Sequence, residues 1–479
     1  MISGISARDL FGDLRSLLMQ PPTPVGWRSM CGLLERWAER AGFEERVMPY
    51  VMDHLAPWDD TLRVAPLKWG EQLMKGRPTP QMLLAATLDL TGRHPIEDVG
   101  AEVLASSPWV ANLRRLVLGR QSLGVRAARA LARSEHLGNL TSLDLHANHL
   151  HGAGVRVLCN GKGLAAVKAL NLHHNQLDGR DVEVLVRSSM GRKLERVNLS
   201  GNDLSPAGLL AISRSPEPLA WRALLLNTCS IRWAGAKALG DAAHVLPKLH
   251  TLSLNQNALT HDTISALFRF VPWHALRSLS LYSNWLGVTG VRMLAATKSL
   301  SELEELELSN NSLKVAGVEQ LAHMQGLHNL RALALSSNAI GDDGARALSA
   351  ISELEHLDTL DLSRNEIGVA GVMALVHAPW RGHIRELNLQ HNALGDRGVE
   401  ALLHQPWPNL ERLVLRFVCA TDRAAHVLAA TEHLPSLKRL DLDFNDISVD
   451  GVRELARAPH LSDAVRDAWR ARLDGTRLA

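Results

Sequence analysis

The chain has 479 residues, a formal net charge of +2 and 21% charged residues. This balance excludes a bulk electrostatic attraction to nucleic acid or to a membrane surface, so neither is predicted as a partner. The four cysteines lie scattered without C-x-x-C spacing. That spacing argues against a disulfide framework and against a zinc site built from thiolates.

The N-terminal segment carries charged residues where a signal peptide would be apolar, and no run approaches about 18 apolar residues. We therefore expect a cytoplasmic protein. Arginine is far more frequent than lysine, and only two residues are Tyr. This composition is typical of GC-rich bacterial genomes and indicates a bacterial source.

The first 80 residues contain no repeat. Proline-containing breaks separate helical stretches near residues 6–19, 26–42, 44–56 and 66–76. Two interpretations stay open for residues 1–80: a helical cap that covers the first repeat, or a small independent helical domain.

From about Leu113 to Leu455 the sequence repeats with a period of 27 residues in the pattern L-x-x-L-x-L-x-x-N-x-L. Self-similarity at such a period predicts a solenoid, to which each copy adds its own part of the core. The thirteen copies start at Leu113, Leu140, Val167, Leu194, Trp221, Leu249, Leu276, Leu303, Leu330, Leu357, Ile384, Leu410 and Leu437. A degenerate copy at Leu88 and Leu90 precedes them, so we assign residues 81–459 to the solenoid.

Each copy combines two periodicities. The x-L-x-L-x stretch alternates with period 2 and predicts a strand, whereas segments such as 344–349 space apolar residues as a helix does. Repetition of strand and helix in one direction predicts an α/β solenoid of horseshoe form, with parallel strands on the concave face and helices on the convex face. Residues 460–479 are predicted to form a closing C-terminal helix.

A recurrent asparagine at the ninth position of the copy is predicted to hydrogen-bond backbone groups inside the solenoid. This asparagine ladder consists of Asn148, Asn175, Asn202, Asn257, Asn284, Asn311, Asn338, Asn365, Asn392 and Asn445. Gln121 and Cys229 replace it in two copies. Val418 replaces it in the copy that starts at Leu410, which we therefore expect to be irregular.

The full motif L-x-x-L-x-L-x-x-N-x-L-G-x-x-G-(A/V)-x-x-L resembles the ribonuclease-inhibitor-like class of leucine-rich repeats. Members of that class bind unrelated proteins on one scaffold. The resemblance implies a non-enzymatic scaffold, without cofactors, that binds a protein partner on the concave face. Two alternatives from the same class stay open: a GTPase-activating or other regulatory protein acting on a small GTPase, and a sensor region coupled to the N-terminal helical segment.

Candidate partner-binding residues are aromatic or lie beside aromatics, because aromatics and arginine dominate interface energies. They are Tyr282 and Trp285 in one copy, and Arg416, Phe417, Asp443 and Phe444 in two adjacent copies. Phe417 and Phe444 occupy the same eighth position of their copies.

Charges alternate in sign at the second position of seven successive copies, which predicts an ion ladder between neighbouring strands. Its members are Arg277, Glu304, Arg331, Asp358, Arg385, Glu411 and Lys438.

Two imidazoles and a carboxylate, His146, His173 and Asp144, could bind a divalent metal. The same pattern is explained by solvated histidines, so no catalytic residue and no metal is predicted.

Overall fold

The computed structural model describes residues 7–38, 40–92, 94–268, 273–473 and 475. The chain forms two units, Met1–Leu224 and Leu225–Ala479, which are described separately. The described ranges contain fourteen strands of three residues, and their order in the sheet is their order in the chain.

The first unit begins with helices near the predicted positions. They are α1 (Ala7–Leu18), α2 (Pro24–Trp37), a π-helical turn (Phe43–Val47), α3 (Met48–Asp53) and α4 (Leu67–Met74). Trp27, Leu34 and Trp69 are buried, so these helices have an apolar core. Residues 1–6 of the predicted N-terminal region lie outside the described residues, and its boundary at residue 80 remains a prediction.

The repeats of the first unit alternate strand and helix. The strands are β1 (Thr87–Asp89), β2 (Arg115–Val117), β3 (Ser142–Asp144), β4 (Ala169–Asn171) and β5 (Arg196–Asn198); β6 (Ala223–Leu225) contains the boundary between the units. The helices are α5 (Glu97–Ser106), α6 (Val125–Arg133), α7 (His151–Cys159), α8 (Gly179–Arg187), α9 (Ser189–Lys193) and α10 (Ser205–Ser213), with 3-10 turns at Pro80–Leu84, Pro108–Val110 and Lys162–Leu164. Strands β1 to β4 pair in parallel with their successors in the chain.

The second unit continues the alternation. Its strands are β7 (Thr251–Ser253), β8 (Ser278–Ser280), β9 (Glu305–Glu307), β10 (Ala332–Ala334), β11 (Thr359–Asp361), β12 (Glu386–Asn388), β13 (Arg412–Val414) and β14 (Arg439–Asp441). Its helices are α11 (Trp233–Asp241), α12 (His261–Phe268), α13 (Gly287–Ala295), α14 (Lys314–Leu321), α15 (Gly341–Ser349), α16 (Val369–Val376), α17 (Gly395–Leu402), α18 (Asp422–Ala430), α19 (Val449–Arg457) and α20 (Asp463–Leu473). Four 3-10 turns lie at Ala242–Val245, Lys298–Leu300, Leu327–Asn329 and Pro379–His383. Strands β7 to β14 pair in parallel in chain order.

The repeat sequence explains both elements of a copy. In β11 the middle residue Leu360 is buried and its two neighbours are half-exposed, as the period of 2 predicts. In α15 the second glycine of the motif, Gly344, packs against the preceding loop. A Cβ atom at Gly344 would lie 2.6 Å from the Cβ of Ile340. Glycine is therefore required where the helix packs against the loop that follows the asparagine.

The asparagine ladder forms as predicted. The Oδ1 atom of Asn338 accepts hydrogen bonds from the N–H groups of Asn311 (2.8 Å) and Leu313 (3.4 Å) in the preceding copy. Its Nδ2 group donates to the carbonyl oxygens of Leu308 and Leu335, both at 3.0 Å. Each such side chain thus satisfies buried backbone groups of two copies.

Two of the three copies that lack the ladder asparagine, those with Gln121 and Val418, differ from each other. Gln121 reproduces the pattern with its longer amide, because its Nε2 group donates to Leu90 and Gly119. The copy with Val418 was expected to be irregular, and this prediction was wrong: β13 pairs in register with both neighbours. Without a side-chain acceptor at position 418, the N–H of Leu394 bonds to the carbonyl oxygen of Asn392 instead.

The predicted closing helix is α20, in which Val465 and Trp469 are buried. Residues 474 and 476–479 of the predicted segment 460–479 lie outside the described residues. Within the described ranges, no helix combines the length and apolar character required to span a membrane.

Candidate functional site

The strands of the second unit expose one face of the sheet. On β11 and β12 the residues on either side of the buried leucine point away from the core. We call the surface made by these flanking residues the sheet face. Asp361 and Asn388 share it, and with Arg412 and Val414 they line a depression of about 160 Å³. The non-leucine side chains of these two strands therefore share one wall.

Most carboxylates and amides on the sheet face have an internal partner that sequence reasoning missed. The Oδ1 atoms of Asp361, Asn388 and Asp441 accept hydrogen bonds from the N–H groups of the residues two positions later, at 2.8, 3.1 and 3.0 Å. The signal in the sequence is the Asp or Asn that recurs at the fifth position of the copy. This position is the last residue of the strand, directly before the turn. These groups hold the strand-to-loop turn, which explains their presence without a ligand.

The predicted ion ladder is present in five of its six steps. Its N···O distances are 3.5 Å for Arg277–Glu304, 3.4 Å for Arg331–Asp358, 3.7 Å for Asp358–Arg385, 3.2 Å for Arg385–Glu411 and 2.7 Å for Glu411–Lys438. The step from Glu304 to Arg331, both described residues, has no ion pair within 4.0 Å. The hydrogen bond from Lys438 holds the pKa of Glu411 below its usual range. Exposed pairs of this kind stabilise a fold weakly.

Phe417 and Phe444 lie together, as predicted from their equal position in adjacent copies. Their rings are stacked with centroids 4.4 Å apart and planes 5° from parallel. The imidazole of His391, one copy earlier, stacks on Phe417 at 4.3 Å and 9°. We call His391, Phe417 and Phe444 the C-terminal stack. Phe417 is 40% exposed and Phe444 is 63% exposed, so apolar rings face solvent.

The backbone of the C-terminal stack is in a conformation that large side chains rarely adopt. The φ angles of His391, Phe417 and Phe444 are 55°, 52° and 60°. The eighth position takes this left-handed conformation in other copies too, where small or polar residues such as Ser337 occupy it. A left-handed residue with a Cβ atom costs about 1–2 kcal/mol. Two adjacent phenylalanines at such positions are therefore not explained by local backbone preference.

Arg416 and Asp443 precede the two phenylalanines of the stack in the chain. Arg416 contacts the stack, whereas Asp443 contacts helix α20. The guanidinium carbon of Arg416 lies 4.9 Å from the centroid of Phe444, a cation–π contact. Asp443 pairs with Arg472 of α20 at 2.7 Å. The side chain of Asp443 therefore has an intramolecular partner, which sequence reasoning did not anticipate.

Tyr282 and Trp285 form a separate exposed patch. Tyr282 is 40% exposed and Trp285 is 76% exposed. Their copy contains β8, five strands before the β13 copy of Phe417, which corresponds to about 24 Å along the sheet. The structure thus divides the six predicted residues into two patches.

The histidine candidates in the first unit do not converge. The Nδ1 group of His146 donates a hydrogen bond to the Asp144 carboxylate at 2.8 Å. The ring of His146 packs over Gly119, in the preceding copy. His173 instead uses Nδ1 for the carbonyl oxygen of Ser200, in the following copy, at 2.8 Å. The two rings lean toward opposite neighbours. In the part of the chain that the structure describes, no group of three His, Cys, Asp or Glu side chains is arranged to hold a metal ion.

One buried carboxyl group on the sheet face was not singled out by the sequence. Burial, and to a smaller degree the charge of Asp361, raises the pKa of Glu307 on β9. The N–H of Ser309 donates to this carboxylate at 2.6 Å and opposes the shift. Glu307 is thus an internal acceptor of the same kind as Asp361.

This architecture is that of an α/β leucine-rich-repeat solenoid. The family model described as Leucine Rich repeat matches residues 192–213, 326–349, 353–376, 383–403 and 433–456. These five segments carry the leucine-rich-repeat pattern in part of the chain, in agreement with the fold. No curated protein matches it in sequence.

Solved structures share the fold at low sequence identity. A chain of the Rad7–Elc1 complex from yeast is 18% identical with a TM-score of 0.50, over 97% of this chain and 99% of that one. An internalin (InlF) from Listeria monocytogenes is 18% identical with a TM-score of 0.43, over 74% and 87% of the two chains. TLR13 in complex with ssRNA13 is 19% identical with a TM-score of 0.44, over 78% and 52%.

Proposed function

We propose that this protein is a non-enzymatic scaffold that binds a protein partner through the sheet face and adjoining loops of its second unit. The C-terminal stack is the observation that carries the proposal. It places two stacked phenylalanines in solvent, in an unfavourable backbone conformation, beside an arginine. Exposed aromatics and arginine at one place are the side chains that dominate protein interfaces.

The surroundings of the stack support binding rather than chemistry. Polar groups such as Asp361 and Asn388 are engaged in turn hydrogen bonds, and the charges of the second position pair with one another. A rigid, internally satisfied surface with a few exposed aromatic anchors suits recognition, because little conformational entropy is lost on binding. Tyr282 and Trp285 would provide a second, smaller contact on the same unit.

Three finer assignments belong to the same proposal. The 27-residue copy, in which every strand is followed by helix, supports the ribonuclease-inhibitor-like class. The amino-acid composition supports a bacterial source, and the scattered cysteines, which lack disulfide or zinc spacing, are in keeping with a cytoplasmic location. The concave face is the binding surface that the resemblance implies. One neighbour of similar fold was solved as the Rad7–Elc1 complex, which is in keeping with a protein partner.

The test is affinity capture from a lysate of the source organism, with partners quantified by mass spectrometry. In the double variant Phe417→Ala/Phe444→Ala, the amount of captured partner should fall by at least about tenfold, because aromatic anchors contribute most of the binding energy. Removing two exposed rings leaves no buried cavity, so the fold should be retained, which circular dichroism can verify.

The matched control is Trp233→Ala. Trp233 is also a large exposed aromatic, at 54%, but it lies on helix α11. Capture should be unchanged in this variant. If the double phenylalanine variant captures its partner as well as the wild type does, the proposed binding surface is wrong.

A further inference from the structure

The guanidinium groups around the C-terminal stack differ from those of the ion ladder. In the ladder every arginine has a carboxylate within 3.7 Å. Among the described residues, the exposed Arg364, in the copy before that of His391, has no ion pair. The nearest carboxylate oxygen to Arg416, on Asp441, is 3.9 Å away, and the buried Nε of Arg416 has no hydrogen-bond partner there.

Two of these arginines contact the C-terminal stack directly. The Nη2 group of Arg364 donates to Nε2 of His391 at 2.9 Å, so the imidazole acts as an acceptor. Arg416 lies over the ring of Phe444. Desolvation, and then the positive charges of Arg364 and Arg416, lowers the pKa of His391. Two cationic side chains, Arg364 and Arg416, therefore lie against the stack.

The geometry of the rings favours a peptide over a nucleic acid. Both faces of Phe417 are covered, by His391 on one side and by Phe444 on the other. Single-stranded nucleic acids bind by stacking successive bases on free aromatic faces. Here the stack offers ring edges and the terminal ring of Phe444, which suit apolar side chains. The net charge of +2 is also small for binding driven by phosphate contacts.

We propose that the C-terminal stack binds an acidic segment of a protein partner. Carboxylates of the segment would pair with Arg364 and Arg416, and an aromatic or aliphatic side chain would pack on the exposed ring of Phe444. This inference rests on the proposed function and adds the chemistry of the partner. Guanidinium groups without a close carboxylate partner, beside an apolar anchor, give both steering and specificity for such a segment.

Selection of random peptides displayed on phage, with the full chain as target, tests the inference. Counter-selection against the folded Phe417→Ala/Phe444→Ala variant retains the peptides that require the stack. We expect them to be enriched in Asp and Glu together with Trp, Phe, Tyr or Leu. A synthetic copy of the most enriched peptide, labelled with fluorescein, then serves for affinity measurements by anisotropy.

Charge variants separate electrostatic recognition from a general loss of structure. Arg364→Glu should lower the affinity for the peptide by about tenfold, because it removes a cation and adds a repulsive charge. Arg397→Glu makes the same charge change on helix α17, away from the stack, and should leave affinity within about twofold. Higher salt should weaken the wild-type complex as well.

The possible results discriminate between the two proposals. Stack-dependent peptides without an acidic bias, or an affinity unchanged by Arg364→Glu, would overturn the acidic-segment inference alone. If no stack-dependent peptide is enriched, the proposed function at this surface fails with it. Stack-dependent binding of a fluorescein-labelled single-stranded RNA in place of peptides would also reject the inference, in favour of a nucleic-acid partner.

Discussion

Replacing one asparagine of the ladder should destabilise the solenoid far more than the loss of an exposed asparagine. In Asn338→Ala, the N–H groups of Asn311 and Leu313 lose their acceptor, and the carbonyl oxygens of Leu308 and Leu335 lose a donor. Asn338 is 1% exposed, so water does not replace these bonds without local opening.

The magnitude follows from the buried groups. A buried backbone donor without a partner costs about 1–3 kcal/mol, and each lost hydrogen bond contributes about 1 kcal/mol. The 2.8 Å bond from the N–H of Asn311 is the shortest of the four, so its loss should contribute most to the destabilisation. We expect the free energy of unfolding to fall by about 3–5 kcal/mol, at the upper end of single substitutions.

Urea denaturation followed by circular dichroism measures this loss, and hydrogen–deuterium exchange of residues 308–314 locates it. The control is Asn409→Ala, which removes one exposed bond from Nδ2 to Gly382 (2.7 Å) and should cost about 1 kcal/mol or less. Equal losses in the two variants, or unchanged exchange at Asn311, would refute the structural role assigned to the ladder.

Three further outcomes are expected. Arg331→Glu places an acid between Glu304 and Asp358 and should lower the melting temperature through a loss of about 1 kcal/mol. Glu307→Gln should raise the melting temperature at pH 7, because burial raises the pKa of this carboxyl and its ionised form is disfavoured in the fold. The gain should vanish below the ordinary pKa of 4.5, where the unfolded chain is protonated too. Burial lowers the pKa of His173 from 6.5, so stability should fall as pH drops below 6.5, and His173→Gln should flatten this dependence.

Matched variants separate these effects from general damage. Arg397→Glu changes the same charge as Arg331→Glu without a ladder neighbour, and an equal loss in both would argue against the ladder. Glu305→Gln removes an exposed carboxylate on the same strand, β9, and should not reproduce the gain of Glu307→Gln. Parallel pH profiles of the wild type and His173→Gln would contradict the role given to that histidine.

The repeat pattern was sufficient to predict the strands, the helices and the asparagine ladder, because each rests on residues that recur at fixed spacing. The degenerate copy at Leu88 was predicted for the same reason and forms β1. The irregularity expected around Val418 was wrong. Pairing with β12 and β14 fixes the backbone of that copy even though one side-chain acceptor is missing.

The candidate site could be predicted only in part. Equal positions in adjacent copies placed Phe417 beside Phe444, and the same rule would have added His391, the eighth residue of the preceding copy, which the sequence analysis did not consider. The pairing of Asp443 with Arg472 arises from the packing of α20, which lies outside the repeat. Periodicity predicts neighbours within the repeated part of the chain and has no information on contacts made by its closing helix.

The most direct test of the binding surface is photocrosslinking from the site itself. The photoreactive residue p-benzoylphenylalanine at position 444 keeps an aromatic ring at the end of the C-terminal stack, and at position 233 it lies on helix α11. On irradiation in lysate, we predict a crosslinked partner band from position 444 and none from position 233. A partner crosslinked from position 233, with none from position 444, would contradict binding at the stack.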